Sequence, residues 1–161
     1  MVFIMNHSLR SILQLPLPVF LAALLILPPL QTKVEAQQGY QRQLLRLHNR
    51  ERARRNIRPL RLHGALNRAS IRYARVMNAN DHWSHTGPDG STVRDRVEAE
   101  CATCFRGWGE NLAKGQRNPA QATRAWMQSP GHRRNILRRS FRRVGFGRAG
   151  SAPYWVAKFG A

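Results

Sequence analysis

A chain of 161 residues, 42% of them hydrophobic, suits one compact domain with a substantial core, and it shows neither an internal repeat nor a low-complexity linker. Its formal net charge is +19, carried by 24 arginines and 3 lysines against 8 acidic residues. Such a field draws polyanions, and arginine forks onto phosphate or carboxylate, although a surplus of solvated arginine reads equally well as surface chemistry alone. There is no arginine–aromatic interleaving of the RNA-recognition type, which excludes a dedicated nucleic-acid module.

The first stretch reads as a targeting segment. A weakly basic start (His7, Arg10) leads into the apolar run from Leu13 to Leu30, interrupted by Pro16, Pro18, Pro28 and Pro29. Those prolines suit a membrane-spanning helix badly, and Val34-Glu35-Ala36 supplies a signal-peptidase site. Residues 1–36 are therefore expected to be a cleaved signal peptide that directs the chain to the periplasm or outside the cell, with an uncleaved membrane anchor as the alternative. The basic excess survives cleavage, because the segment takes with it only Arg10, Lys33 and Glu35 among charged residues.

After a short leader, Tyr40, Leu44, Leu47 and Glu51 recur at helical spacing, with arginines at 42, 46, 50 and 54 on a neighbouring face. That helix must stop before Arg58-Pro59. A second helix carries Leu66, Ala69, Tyr73 and Met77 and ends in Asn78-Ala-Asn-Asp81. Residues 81–90 are too polar and turn-rich for an element; Ser91 or Thr92 then caps a third helix bearing Val93 and Val97. Cys101-Ala-Thr-Cys104 lacks the second pair that a zinc ribbon needs, and outside the cytoplasm it is expected to close as a disulfide. The segment from Cys101 to Gly115 reads as loop. Asn118-Pro119 opens a fourth helix with a capping side chain and a proline at the first turn, its inward face marked by Ala122, Ala125 and Trp126. Ser129-Pro130-Gly131 breaks that helix, and a short turn runs on through Leu137. Alternation at Val144 and Phe146, then at Trp155, Ala157 and Phe159, predicts a terminal β-hairpin. Helices first and strands last give an α+β domain.

Three polar groups fall on glycine-flanked backbone, each near a tryptophan able to wall a cleft: His85 with Trp83, Glu110 with Trp108, and His132 with Trp126. Two imidazoles and a carboxylate can hold zinc or another divalent cation, activate water, or fix a polar ligand. Asn111 and Asn135 are expected to brace backbone, Asp89 to make a turn, and His82 to lie outside the site.

The order and content of several segments resemble the bacterial branch of the CAP superfamily, whose SCP domain is shared by cysteine-rich secretory proteins, antigen 5 and plant pathogenesis-related proteins. The matching pieces are Leu44-Leu-Arg-Leu-His-Asn-Arg-Glu-Arg-Ala53, Trp83-Ser-His-Thr-Gly-Pro-Asp-Gly90, Gly109-Glu-Asn-Leu-Ala113, Trp126-Met-Gln-Ser-Pro-Gly-His-Arg-Arg-Asn-Ile-Leu137, Val144-Gly-Phe-Gly147 and Tyr154-Trp-Val-Ala-Lys-Phe159. The resemblance spans residues 40–160 and implies a single-domain three-layer α-β-α sandwich. It further implies a central cleft built on two histidines and two glutamates. His85 and His132 match the histidines, Glu110 matches one glutamate, and Ser129 stands where the second would be. Serine cannot act as a general base, so chemistry by a carboxylate pair is not expected. Three functions stay open. One is binding of an anionic lipid or cell-envelope polymer through the cleft and basic surface. Another is divalent-metal-dependent hydrolysis with His85 and His132 as metal ligands, and the last is a structural exported protein with a vestigial cleft.

Overall fold

The computed structural model describes residues 28–161. Residues 1–27, which hold most of the expected signal peptide, lie outside the described residues; 28–36 belong to the first helix, α1 (Pro28–Ala53). The expected leader at 37–39 is thus helical, and α1 starts upstream of Tyr40.

The remaining elements are β1 (Arg61–Leu62), α2 (Gly64–Ala79), α3 (Val93–Glu98), β2 (Trp108–Lys114), α4 (Pro119–Gln128), α5 (Pro130–Leu137), β3 (Arg143–Ala149) and β4 (Tyr154–Gly160). The strands form one mixed sheet in the order β1-β3-β4-β2, with β1 parallel to β3 and the other pairings antiparallel. The predicted hairpin is β3–β4. The segment read as loop contributes β2, because Trp108 to Lys114 pairs residue for residue with β4 from Gly160 to Tyr154. Similarly, the turn expected after Gly131 is helix α5, which Pro130 opens at its first turn. Thr92 caps α3 in a reciprocal box with Asp95, and the Asn118 side chain caps α4.

β4 is buried along its whole length, as a central strand covered on both faces must be. Its Trp155, Ala157 and Phe159 side chains join Leu44 of α1, Trp126 of α4 and Ile136 of α5 in the larger core. Tyr154 and Val156 point the other way, onto Tyr73, Ala74 and Met77 of α2. These are the three layers, α1/α4/α5 on one face and α2 on the other, with the sheet between.

The α2 layer sits unusually low on β3. A Cβ at Gly145 or Gly147 would overlap the α2 backbone at Leu66 and Ser70. Because β1 has only two residues, most of β3 lacks a strand partner on that side. Side chains replace it: Asn67 Oδ1 accepts from the Phe146 amide at 2.9 Å and Gln41 donates to the Phe146 carbonyl at 2.8 Å, while Ser70 donates to the Gly145 carbonyl at 3.1 Å from the α2 face.

Another polar group anchors the α1 side. Arg52, fully buried, is held by carbonyls rather than a carboxylate, donating to Arg58 (2.8 Å), Ile136 (2.7 Å), Arg138 (3.0 Å) and Phe141 (3.0 Å). Cys101 and Cys104 are joined in a disulfide, as expected, with their Cα atoms 5.5 Å apart. Among the described residues, no helix is long and apolar enough to cross a membrane.

Candidate functional site

β2 ends the sheet, and a cleft of about 590 Å3 lies against it, lined by Trp83, Leu112, Lys114, Trp126, Ser129 and His132 among others. Trp126 is fully buried and donates its indole N–H to the Leu112 carbonyl at 2.9 Å, tying α4 to β2. Trp83 projects from the 81–90 loop and is half exposed. Trp108 stands apart from this wall. It packs beside Leu66, Ala69, Val97 and Phe105, with the Arg94 guanidinium 5.2 Å from its ring centroid.

His132 occupies the first turn of α5. Its backbone carbonyl accepts from Asn111 Nδ2 at 2.9 Å, and Asn135 of the same helix donates both to Asn111 Oδ1 (2.9 Å) and to the Glu110 carbonyl (3.1 Å). The two asparagines therefore do brace backbone, and they fix α5 against β2. Burial, and after it the charge of His85, hold the His132 imidazole below its ordinary pKa. Ser129 ends α4 and begins α5, lines the cleft, and uses no side-chain oxygen for capping.

His85 is positioned by its loop. The Tyr73 hydroxyl donates to the Ser84 carbonyl at 2.6 Å, and Arg96 donates to the His85 carbonyl at 2.7 Å. His82 braces the same loop through the Thr86 carbonyl (2.6 Å), and Asp89 accepts from the Ser91 amide at 3.0 Å, which is its turn role. The His85 side chain is 55% exposed, with Nδ1 2.8 Å from Glu110 Oε1.

Glu110 departs most from the sequence reading. It sits on a strand, its side chain is 1% exposed, and its carboxylate is already occupied. Lys158 of β4, its register partner, donates to Oε2. Arg96 of α3 approaches Oε2 at 3.4 Å while its guanidinium stacks 3.6 Å from the Tyr73 ring centroid. Burial alone would raise the Glu110 pKa, but the His85 hydrogen bond and the Lys158 and Arg96 charges overcome it and hold the group below the usual carboxylate range. Burial pushes Lys158 down to about 8 against the pull of Glu110, with which it forms a buried ion pair. An ionised Glu110 can only accept, so His85 Nδ1 carries the proton in their bond and Nε2 is left for a ligand.

Sequence reasoning missed Arg96, Tyr73 and Lys158. Lys158 had a visible signal: it interrupts the otherwise apolar run Tyr154-Trp-Val-Ala-Lys-Phe159. Arg96 had none, being one arginine among many.

Residues 45–159 match the family model for CAP, the cysteine-rich secretory protein family. The chain belongs to the CAP family. Its CAP domain is 30% identical over 121 residues to YkwD of Bacillus subtilis, covering 75% of this chain and 47% of that protein. It is 26% identical over 107 residues to the membrane protein YlbC of the same organism, covering 66% and 31%. Among solved structures, an extracellular SCP-domain protein from Bacillus anthracis superposes with a TM-score of 0.73 at 26% identity, over 84% of this chain and 44% of that one. An outer surface protein of Borrelia burgdorferi shares the fold, with a TM-score of 0.68 at 23% identity over 74% and 90%. The chain spans about half or less of the length of the curated relatives it matches. The match bears out the family resemblance and the three-layer sandwich it implied.

The CAP domain offers a metal ion little. Among the described residues no three His, Cys, Asp or Glu side chains are grouped to hold one. The nearest carboxylate, Glu110, is spent on two cations and His85. Zinc would have the imidazoles of His85 and His132 and a net positive neighbourhood, which is a poor donor set.

Proposed function

We propose that this CAP domain is an exported binding module that takes an anionic envelope component, a lipid headgroup or wall polymer, in the cleft lined by Trp83, Ser129 and His132, with His85 close enough for its charge to act on the His132 imidazole and with the basic surface assisting. One observation carries the reading: the carboxylate of Glu110 is buried and consumed by Arg96, Lys158 and His85. A carboxylate so committed is no free general base. Its work is to orient His85 and to hold two cations, Arg96 and Lys158, over Tyr73. What remains for a ligand is the free edge of His85, the His132 imidazole, the Ser129 hydroxyl and the half-exposed Trp83 ring, with buried Trp126 behind the cleft.

The alternative reading, divalent-metal-dependent hydrolysis, has one feature in its favour against the poor donor set: a carboxylate-oriented histidine with its far nitrogen free resembles a metal ligand with its supporting partner. pH separates the two readings with opposite signs. Protonating His132 adds positive charge, so anion binding strengthens on acidification, whereas metal binding must displace that proton and weakens. Vesicles containing phosphatidylglycerol, titrated with the full chain at pH 7.5 and 5.5, should bind more tightly at the lower pH. The gain should disappear in the His85→Ala/His132→Ala variant. Zinc heat by calorimetry at pH 7.5 that requires both histidines, together with vesicle binding indifferent to them, would overturn the binding reading in favour of the metal one.

A further inference from the structure

At the sheet edge opposite Glu110, residues 58–61 and 142–143 enclose a groove of about 320 Å3 lined by Arg58, Pro59, Arg61, Arg142 and Arg143. Four guanidinium groups share it without a carboxylate. None of the four makes an ion pair among the described residues, and the chain from Asn111 to its end contains no Asp or Glu at all. Arg61 and Arg143 are register partners on the parallel strands β1 and β3, so their side chains leave adjacent strands on one face. Like charges placed directly across a ladder repel. Scattered solvent-seeking arginines would not be expected to line up in this way.

The groove is also built rigidly. Its first wall is held by the Arg52 bond to the Arg58 carbonyl, and its second by the Arg52 bonds to the Arg138 and Phe141 carbonyls. One buried arginine thus clamps both walls to α1. The Arg61 amide donates to the Arg142 carbonyl at 3.0 Å and closes the floor. Arg142 spends one nitrogen on the Phe141 and Arg139 carbonyls, which fixes its direction. With Arg142 held in place and three further guanidinium groups free to turn toward a bound group, the concavity suits a tetrahedral oxyanion with several acceptor oxygens.

We propose that this groove is a second ligand site, separate from the cleft, that binds phosphoryl groups such as a pyrophosphate or the phosphodiesters of an envelope polymer or lipid headgroup. The inference rests on the anionic-ligand reading above and gives its basic surface a location. Bound phosphate would neutralise the Arg61/Arg143 juxtaposition, which otherwise stands unrelieved.

The test uses the full chain at pH 7.5, inorganic pyrophosphate as probe, and calorimetry. Arg61→Gln/Arg143→Gln should weaken binding about tenfold or more, the loss expected when two charge-assisted pairs are removed. Arg117→Gln/Arg124→Gln removes the same charge from exposed positions elsewhere and should change affinity by less than about twofold if the field is screened. Equal losses in the two variants, or undiminished binding in the first, overturn the proposal. Thermal melting without ligand checks the fold, and the groove variant should melt no lower than the parent, because its substitutions relieve repulsion. Phosphatidylglycerol vesicles then distinguish the source: reduced vesicle binding by the groove variant assigns a membrane headgroup, and loss confined to pyrophosphate assigns a phosphate chain. The His85→Ala/His132→Ala variant, measured beside it, should keep its pyrophosphate affinity; loss there with none in the groove variant places the anion in the cleft and overturns this proposal, so failure of the cleft reading and failure of this one are told apart.

Discussion

His48 shows how a single residue can set the pH range of the whole fold. It lies on α1, fully buried, with Trp126, Phe146 and Phe159 around it at ring-centroid distances of 5.6, 5.1 and 6.2 Å. Nδ1 reaches the Leu44 carbonyl at 2.9 Å and Nε2 has no partner. Burial, then the charge of Arg52, lowers its pKa to about 4 despite the bond to Leu44. A folded-state value below the unfolded one means that the unfolded chain binds the proton first. The stability from neutral His48 is therefore present above about pH 6.5 and lost as pH falls toward 4, with a full swing of about 3 kcal/mol. Urea unfolding at pH 7 and pH 4.5 should show a much steeper acid loss in the parent than in His48→Leu, which has nothing to protonate there. Parallel losses in the two would mean that the imidazole opens to solvent before it titrates.

At the scale of elements, the contact between α2 and β3 decides how close the layers come. Gly145 and Gly147 leave no side chain on that face, and the α2 backbone occupies the space. Only at this distance can Asn67 satisfy the strand edge that two-residue β1 leaves open. Gly147→Ala would force a methyl group into the Ser70 carbonyl. Backbone cannot yield as a side-chain tip does, so a loss of about 3 kcal/mol is expected, at the upper end for overpacking. Gly131→Ala, with open space around it on α5, should be neutral or slightly stabilising. Chemical denaturation of the two variants checks this, and an equal, small effect would show that α2 shifts to make room. The same contact explains what the sequence concealed. α2, α3 and α4 were legible because periodic apolar positions and caps such as Thr92 and Asn118 act locally. β2 was not, because Gly109-Glu-Asn-Leu-Ala113 becomes a strand through pairing with residues more than forty positions away. His85, Glu110 and His132 stood out by their glycine-flanked, tryptophan-adjacent backbone, and the family's motifs matched the same three residues. The cations that hold Glu110 did not, since their role arises from register and packing.

Charge is the property of the whole molecule. Each carboxylate whose partners are described is engaged locally: Glu51 by Arg54 and Arg55, Asp81 by Lys114, Glu98 by Arg94, Glu100 by Arg68 and Arg72, Glu110 by Arg96 and Lys158. Asp89 and Asp95 make their own turn and cap bonds. Little negative charge is left to offset a net +19, least of all beyond Glu110, where β3, β4, α4 and α5 carry only basic charges. Two effects of salt then compete. Screening weakens the exposed ion pairs, each worth at most about 1 kcal/mol, and it also weakens a repulsion summed over many arginines. The repulsion has more terms and acts over longer distances, so it should win. Raising sodium chloride from about 20 to 300 mM shortens the Debye length from roughly 20 to 6 Å, which cuts off interactions between neighbouring elements while sparing contacts. The melting temperature of the full chain should therefore rise with salt, by a few degrees for each ~1 kcal/mol of repulsion removed at this size. A fall would mean that the engaged carboxylates dominate the electrostatic balance and that the arginine surface is already dispersed enough to cost the fold nothing.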